Sequence, residues 1–252
     1  VSVHYMKIYP GWQSKLGTGK VFRLMGTLYV IGTPIGNLED ITLRALRLLK
    51  EVDLILCEDT RVTKKLLTRH HIGTPTLSYH THSGLSKVEK IRELLKDGKN
   101  LALVTDAGTP GISDPGSQLV KALRESISGE VPNIVSVPGP SALTSAISIS
   151  GLSTSDFIFL GFLPHKKGRE TLFKEIADSK RAVVFYESPH RLMKTLASLS
   201  KVLSENHTVG VARELTKIHE QFVSGSAQEI EKYFSENKDK IRGEFVIMVG
   251  SK

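Results

Sequence analysis

The sequence has almost no cysteine. Cys57 is the only one in 252 residues, which excludes an intrachain disulfide and fits a reducing compartment. Long apolar runs are also missing. None approaches the roughly 18 residues that cross a bilayer, and residues 1–24 lack the apolar stretch of a signal peptide. A cytoplasmic chain with no membrane partner is expected. Acidic side chains are absent from one region, residues 1–24, which carry Lys7, Lys15, Lys20 and Arg23. That region follows neither a helical nor a strand period, so the native fold is expected to begin at Met25, with 1–24 an extension or an added leader. Of 34 basic and 26 acidic side chains, four basic ones fall there, so the remainder holds 30 against 26. This mild basic bias is compatible with a polyanionic partner without requiring one.

What is present is an unusual supply of glycine loops. Residues 101–116 read LALVTDAGTPGISDPG. The first part is apolar and β-prone, as expected of a buried parallel strand. It runs into Asp106, Gly108, Pro110, Gly111, Asp114, Pro115 and Gly116, too much Gly and Pro for a plain strand-to-helix turn. Glycine lets a backbone approach a ligand closely, and proline lowers the entropy lost on ordering a loop. Open α/β sheets bind ligands at the carboxyl ends of their strands. A tight connection without a ligand is the alternative reading, and two similar loops elsewhere weigh against it.

The rest of the chain alternates. A strand over 28–31 enters the first loop, Gly32-Thr33-Pro34-Ile35-Gly36-Asn37, which is neither a dinucleotide fingerprint nor a Walker loop. Asp40 is expected to cap the next helix, which would bury Ile41, Leu43, Leu46, Leu48 and Leu49. A strand over 54–56 ends in Cys57-Glu58-Asp59-Thr60-Arg61, readable as a polar site or as a helix cap with an ion pair. A strand over 76–79 leads to His80-Thr81-His82-Ser83. Two histidines at that spacing suggest a metal, but no third ligand is suitably spaced and none is expected. Helices over 86–96 and 117–126 flank the central strand. A strand over 134–137 feeds the third loop, Pro138-Gly139-Pro140-Ser141-Ala142, where Ser141 is expected to cap a helix packed by Ala142, Leu143 and Ala146.

This pattern indicates a parallel α/β domain over 25–148. The Ser- and Gly-rich stretch 148–155 marks a boundary, with a second α/β domain over 149–252. There, a strand over 156–163 leads to Pro164-His165-Lys166-Lys167-Gly168-Arg169, the best phosphate-contact candidate, although an exposed turn is the competing reading. A strand over 182–186 ends in Glu187-Ser188-Pro189-His190-Arg191. Another, over 208–212, ends in Arg213-Glu214-Leu215-Thr216-Lys217, and 221–224 can pair antiparallel with it. A helix around 228–234 precedes a last strand over 245–249.

In order, the chain carries GTPIGNLEDIT at 32–42, CEDTR at 57–61, DAGTPGISDPG at 106–116, PGPSAL at 138–143, FYESPHRL at 185–192 and ARELTKIHE at 212–220. This set closely resembles the tetrapyrrole methylase superfamily. Within it, the set is similar to the branch that 2′-O-methylates a cytidine of 16S ribosomal RNA in the small subunit. The resemblance implies a parallel-sheet N-terminal domain, a mixed-sheet C-terminal domain, S-adenosylmethionine in the cleft between them, and a homodimer. It implies that Gly32, Pro34 and Gly36 border the cofactor. Asp106, Gly108, Thr109, Ile112 and Ser113 would contact it from the central loop, Ser141 and Ala142 from the third, and Glu187 and Ala212 from the second domain. One departure stands out. Relatives in this branch have an acid between the two histidines and an Asn-Glu pair after them, whereas here the stretch is His80-Thr81-His82-Ser83-Gly84, so roles of acids in that loop do not carry over.

Methyl transfer from a sulfonium is an in-line displacement that mainly needs alignment, worth roughly 7–11 kcal/mol. A ribose hydroxyl also needs a proton acceptor, which adds about 10²–10⁴-fold. The candidates are Glu58, Asp59, His80 and Glu214. Arg61, Arg213 and Lys217, with Lys166, Lys167 and Arg169, are the candidate RNA contacts. Tyr186 and Phe162 offer stacking faces but read first as core residues. Three other functions compete: methylation of a small corrin or tetrapyrrole precursor, RNA binding without catalysis, and a protein-directed methylase of the diphthamide pathway.

Overall fold

The computed structural model describes residues 25–80, 84–125, 132–153 and 155–250. Two five-stranded sheets organise them. The first is built from β1 (Thr27–Ile31), β2 (Leu54–Cys57), β3 (Thr76–Ser78), β4 (Leu101–Leu103) and β5 (Asn133–Val137). Their order is β3-β2-β4-β1-β5 and every pairing is parallel. All five strands therefore deliver their following loops to one edge.

Helices cover both faces of this sheet, as the wholly apolar β2 (LILC) and β4 (LAL) at its centre require. α1 (Leu43–Glu51) and α2 (Thr60–Arg69) pack on one face through Ala45, Leu48, Leu49, Leu66 and Leu67. α3 (Leu85–Lys96) and α4 (Gly116–Arg124) pack on the other through Val88, Ile91, Leu95, Leu119 and Leu123. Neighbouring strand residues divide between the faces: Ile55 and Ala102 to the first, Leu56 and Leu103 to the second. Burying each such large side chain contributes about 1.5–3 kcal/mol.

Two local expectations change here. α1 is capped by Thr42, whose Oγ1 accepts from the Ala45 amide at 3.1 Å, and not by Asp40, which sits in a 3₁₀ turn over Leu38–Asp40. With that start, the buried stripe is Ala45, Leu48, Leu49 and Val52, and Leu43 at the first helical position is 86% exposed. The central strand is short, Leu101–Leu103, with one further bond from the Val104 amide to the Leu56 carbonyl at 2.9 Å.

The second sheet has the order β6-β7-β10-β8-β9. It comprises β6 (Phe157–Phe162), β7 (Ala182–Glu187), β8 (Val209–Arg213), β9 (Gln221–Gly225) and β10 (Phe245–Val249). Only β6 and β7 run parallel; the other pairings are antiparallel, so the sheet is mixed. α6 (Arg169–Asp178), α7 (Pro189–Val202) and α8 (Ala227–Glu236) cover one face around Phe173, Leu196, Phe234 and Phe245.

The other face of this sheet packs against the first half of the chain. α5 (Ala142–Ser150) lays Leu143 and Ala146 on Val184, Ala212, Val246 and Met248, together with Ile35 from the first loop. α5 runs through Ser150 and ends at Gly151, with φ +65°. The Ser-rich stretch thus starts inside a helix. Its hydroxyls permit this by donating back to main-chain carbonyls, Ser148 to Ser145 at 2.8 Å and Ser150 to Ile147 at 2.9 Å.

Candidate active site

Three glycine loops meet at the carboxyl edge of the first sheet. Thr33 and Gly108 exchange backbone hydrogen bonds of 2.9 and 3.1 Å. The Thr109 hydroxyl donates to the Pro140 carbonyl at 3.1 Å. Gly32 and Gly139 lie so close that a Cβ on Gly32 would sit 2.8 Å from the Gly139 Cα. The central loop is rigid by its own bonds: Asp114 accepts from the Gly111 amide at 2.7 Å and from the Gly116 amide at 2.6 Å. Gly108 and Gly111 take φ of +85° and +91°, and Ser113 takes +64°.

Between these loops and the second sheet lies a cavity of about 370 Å³. Asp106, Gly108, Thr109, Ile112, Ser113, Ser141, Ala142 and Glu187 line it. Gly32 and Pro34 are buried and do not line it. Gly36 borders a separate cavity, and Ala212 is fully buried, packed with Ile35, Leu215 and Val246. Ser141 occupies the N-cap position of α5 without the expected side-chain cap bond; it lines the cavity and its side chain bonds to Tyr186 instead.

Several lining residues carried no sequence motif. Gly243 and Glu244 precede β10, and Phe245 and Val246 open it; Leu215, within the ARELTKIHE stretch, joins them from the turn after β8. Phe162 and Tyr186 also line the cavity, with ring centroids 5.4 Å apart. Phe162 is 57% exposed, contrary to the core position expected of it. The reason is a break in β6: its register with β7 shifts between Phe159 and Phe162, and Gly161 lies at φ +63°. A bulge reverses the in-and-out alternation of a strand.

The four acid–base candidates occupy different surroundings. Glu58 lines the cavity and accepts from the Thr105 hydroxyl at 3.3 Å. Burial, and then the nearby Asp106 and Asp114 carboxylates, push its pKa above the ordinary value, against the Thr105 hydrogen bond and the charge of His80. Asp59 is the N-cap of α2 and pairs with Arg61 at 2.7 Å, and this hydrogen bond foremost holds its carboxyl at about 2. Its amide donates to Asp106 Oδ1 at 3.0 Å. His80 follows β3 and is exposed. Glu214, at φ +51°, accepts from Lys217 Nζ at 2.8 Å and from the Glu244 amide at 3.1 Å. Burial pulls its pKa upward, but the Lys217 hydrogen bond, the Glu244 amide and the Lys217 charge outweigh it. Of the four, only Glu58 lines the cavity. His82 and the altered residues 81–83 lie outside the described residues, among which no group of three His, Cys, Asp or Glu can hold a metal.

The candidate RNA contacts divide sharply. Lys166 and Lys167 are exposed, as is Arg61. Arg169 is not a surface residue: its guanidinium is buried against Glu187 at 3.3 Å, donates to Thr195 at 2.6 Å, and donates to the Pro164 carbonyl at 3.0 Å. Glu187 cannot remain buried without cationic partners, and Arg191 supplies a second at 3.2 Å. Arg213 is likewise buried, and donates to the carbonyls of Arg242 and His219, both at 3.3 Å. Lys217 is tied to Glu214 and Glu244. The role expected of Arg169 and Arg213 as phosphate contacts is therefore corrected to that of structural anchors.

A parallel sheet and a mixed sheet, with a glycine-loop cavity between them, define a two-sheet α/β protein with its ligand site at the seam. The model of the tetrapyrrole (corrin/porphyrin) methylases matches residues 27–231, and the chain belongs to that family. Among curated relatives, it is 47% identical to ribosomal RNA small subunit methyltransferase I of Thermotoga maritima over 90% of this chain and 100% of that one. It is 46% identical to the protein of the same name from Bacillus subtilis, over 89% of this chain and 75% of that one. Solved structures share the fold. The methyltransferase CobJ superposes with TM-score 0.66 at 19% identity, covering 90% of this chain and 94% of that one. A Thermus thermophilus uroporphyrin-III C-methyl transferase complexed with S-adenyl homocysteine superposes at 0.60 and 18%, covering 89% and 97%.

Proposed function

We propose that this chain transfers a methyl group from S-adenosylmethionine to the ribose 2′-oxygen of a cytidine in small-subunit ribosomal RNA. The observation that carries the reading is the likeness, at 47% identity and over the full length of the relative, to a ribosomal RNA small subunit methyltransferase I. The fold alone would leave a corrin or porphyrin precursor open as substrate.

The cavity fits the methyl donor. Ile35, Ala142, Leu215 and Val246 give it an apolar wall, and Gly108 keeps the backbone of the central loop free of a Cβ beside Ile35. Glu58, Asp106 and Asp114 place carboxylates where a cationic sulfonium gains from them. When bound, the donor supplies a methyl carbon already activated by its positive charge.

The chain's own residues do the rest. The stiff loops hold the donor and the ribose in line. Glu58 accepts the 2′-hydroxyl proton, and its raised pKa makes it a stronger base than an ordinary carboxylate. Asp59, clamped by Arg61, orients α2. Lys166 and Lys167 contact phosphates at the rim. Phe162 offers a ring to a splayed base, the form in which RNA sequence is read. The substrate is the 16S RNA, free or in the assembled small subunit, and the enzyme is a cytoplasmic homodimer. The domains divide near residue 149. Among the described residues, no helix is long and apolar enough to cross a membrane.

The test is methylation of purified small subunits and of free RNA by the purified protein, with the product mapped by nucleoside digestion. 2′-O-methylcytidine is expected. A methylated base, or no transfer to either substrate while a tetrapyrrole accepts the group, overturns the reading.

A further inference from the structure

We propose that a second cavity, together with the outer face of α2, binds the single-stranded RNA backbone flanking the target nucleotide. This rests on the RNA-methylation reading and names where the substrate runs beyond the reacting ribose. The cavity lies between the first loop and the turn after β8; Leu38, Arg69, Lys217, Ile218 and His219 are among its lining, and so is one acid, Glu39.

Three observations converge on it. The first is a basic ridge. Arg61, Lys65 and Arg69 recur every four residues along α2, all exposed, and so share one face. At 1.5 Å per residue the ridge spans about 12 Å. One end adjoins the first cavity, where Asp59 bonds to Asp106, and the other lines the second. No carboxylate pairs with Lys65 or Arg69 among the described residues.

The second is a strained turn. Glu214 and Thr216 adopt φ of +51° and +66°, conformations that cost energy for residues other than glycine. The turn is held by Lys217 on Glu214, and by the Asn37 amide donating to Thr216 Oγ1 at 3.1 Å. A Cβ on Gly36 would collide with Lys217 Cγ at 2.5 Å, so the two walls touch. The third is what this turn displays. Ile218 is 98% exposed, an apolar side chain pushed wholly into solvent in the cavity that Arg69 also lines. Phosphates match the ridge, and an unstacked base matches Ile218 and Leu38. The site is thus built for a flexible polyanion with apolar faces.

The test uses the full-length protein, a single-stranded cytidine-containing RNA oligonucleotide and purified small subunits. Each phosphate contact contributes about 0.7 to the slope of log affinity against log salt for a single strand. Lys65→Gln with Arg69→Gln is expected to flatten that slope by about 1.4, and removing the same two charges at Lys174 and Lys201 should leave it unchanged. Ile218→Ser should weaken RNA binding several-fold at constant slope, with S-adenosylmethionine affinity by calorimetry unaltered in every variant. An unchanged slope in the double variant overturns the site even if methylation stands. A wild-type protein that binds RNA with this slope yet transfers no methyl group sinks the methylation reading and leaves the site standing. If Ile218→Ser instead dissociates a dimer and leaves RNA binding intact, the surface belongs to a second copy of the chain and the proposal falls.

Discussion

Thr33 and Gly108 bond to each other through both of their backbone groups although 75 residues separate them. The Thr33 hydroxyl adds bonds to the carbonyls of Thr105 and Gly108, at 3.1 and 3.3 Å. The first and central loops therefore form one rigid body, and the third joins it through Thr109 and Gly139. A pocket made this way is preorganised: little entropy is lost when a ligand arrives.

Gly32→Ala tests that rigidity. The new Cβ meets backbone atoms of Gly139 at 2.8 Å, and backbone cannot rotate aside as a side chain can. The loops must part, at an expected cost of about 1–3 kcal/mol in stability, with a clear loss of S-adenosylmethionine affinity by calorimetry. Gly73→Ala is the control. Nothing lies within 4 Å of its Cβ, so stability should hold or rise by up to about 1 kcal/mol. Equal behaviour of the two variants would show that the loop contact does not shape the pocket.

Glu58 and Asp59 are adjacent but predict opposite pH behaviour. Glu58 ionises above its ordinary 4.5 because burial and neighbouring carboxylates oppose its charge. The single-turnover rate should therefore climb with pH through that raised value and then level off. Glu58→Gln should remove this limb and lower the rate about 10²–10⁴-fold. The stability effect has the matching sign. With the folded pKa raised, the stabilising proton is held below the unfolded value and lost as pH rises through the folded one. Glu58→Gln should therefore abolish that part of the pH dependence of unfolding. Asp59, at about 2, is already ionised throughout this range, so Asp59→Asn should leave the shape of the rate profile intact. A wild-type rate in Glu58→Gln assigns the proton to another acceptor.

Residue type made the loops legible in the sequence. Gly108 and Gly111 need φ values that other residues resist, and Pro110 and Pro115 stiffen what lies between. The strand–helix alternation showed the parallel sheet for the same local reason. Arg169 was not legible in this way. Nothing within the basic loop distinguishes it from Lys166, and its burial depends on Glu187 and Thr195, 18 and 26 residues away. Phe162 was misread because one bulge inverted the strand's alternation. The β10 segment of the cavity wall carries no motif at all; only pairing with β7 and β8 brings it there.

Arg169→Met and Lys166→Gln with Lys167→Gln separate anchoring from RNA contact. Removing one member of a buried ion pair costs about 3 kcal/mol or more, and Arg191 remains to limit the damage at Glu187. Arg169→Met should therefore lower the urea midpoint of unfolding. The double lysine variant should unfold like wild type and flatten the salt dependence of RNA binding by about 1.4. A full-strength salt slope in the lysine variant, or an unaltered urea midpoint in Arg169→Met, would reverse these assignments.

Phe162 provides the sharpest separation of substrate from methyl donor. Its ring is more than half exposed, stands 5.4 Å from that of Tyr186, and lies at the end of β6 rather than in a core cluster. Truncating it costs little packing, so Phe162→Ala should keep the wild-type thermal midpoint. Stacking of a base on an aromatic face is worth about 1–3 kcal/mol, so RNA affinity should fall by the corresponding roughly 5- to 150-fold. Phe162→Tyr keeps the face and should restore it. Tyr186 is more deeply placed, and burial raises the pKa of its hydroxyl, so Tyr186→Ala should disturb the apolar cluster beneath the cavity as well. An RNA affinity that survives Phe162→Ala, measured beside a normal unfolding curve, would mean that the exposed ring serves some contact other than the substrate base.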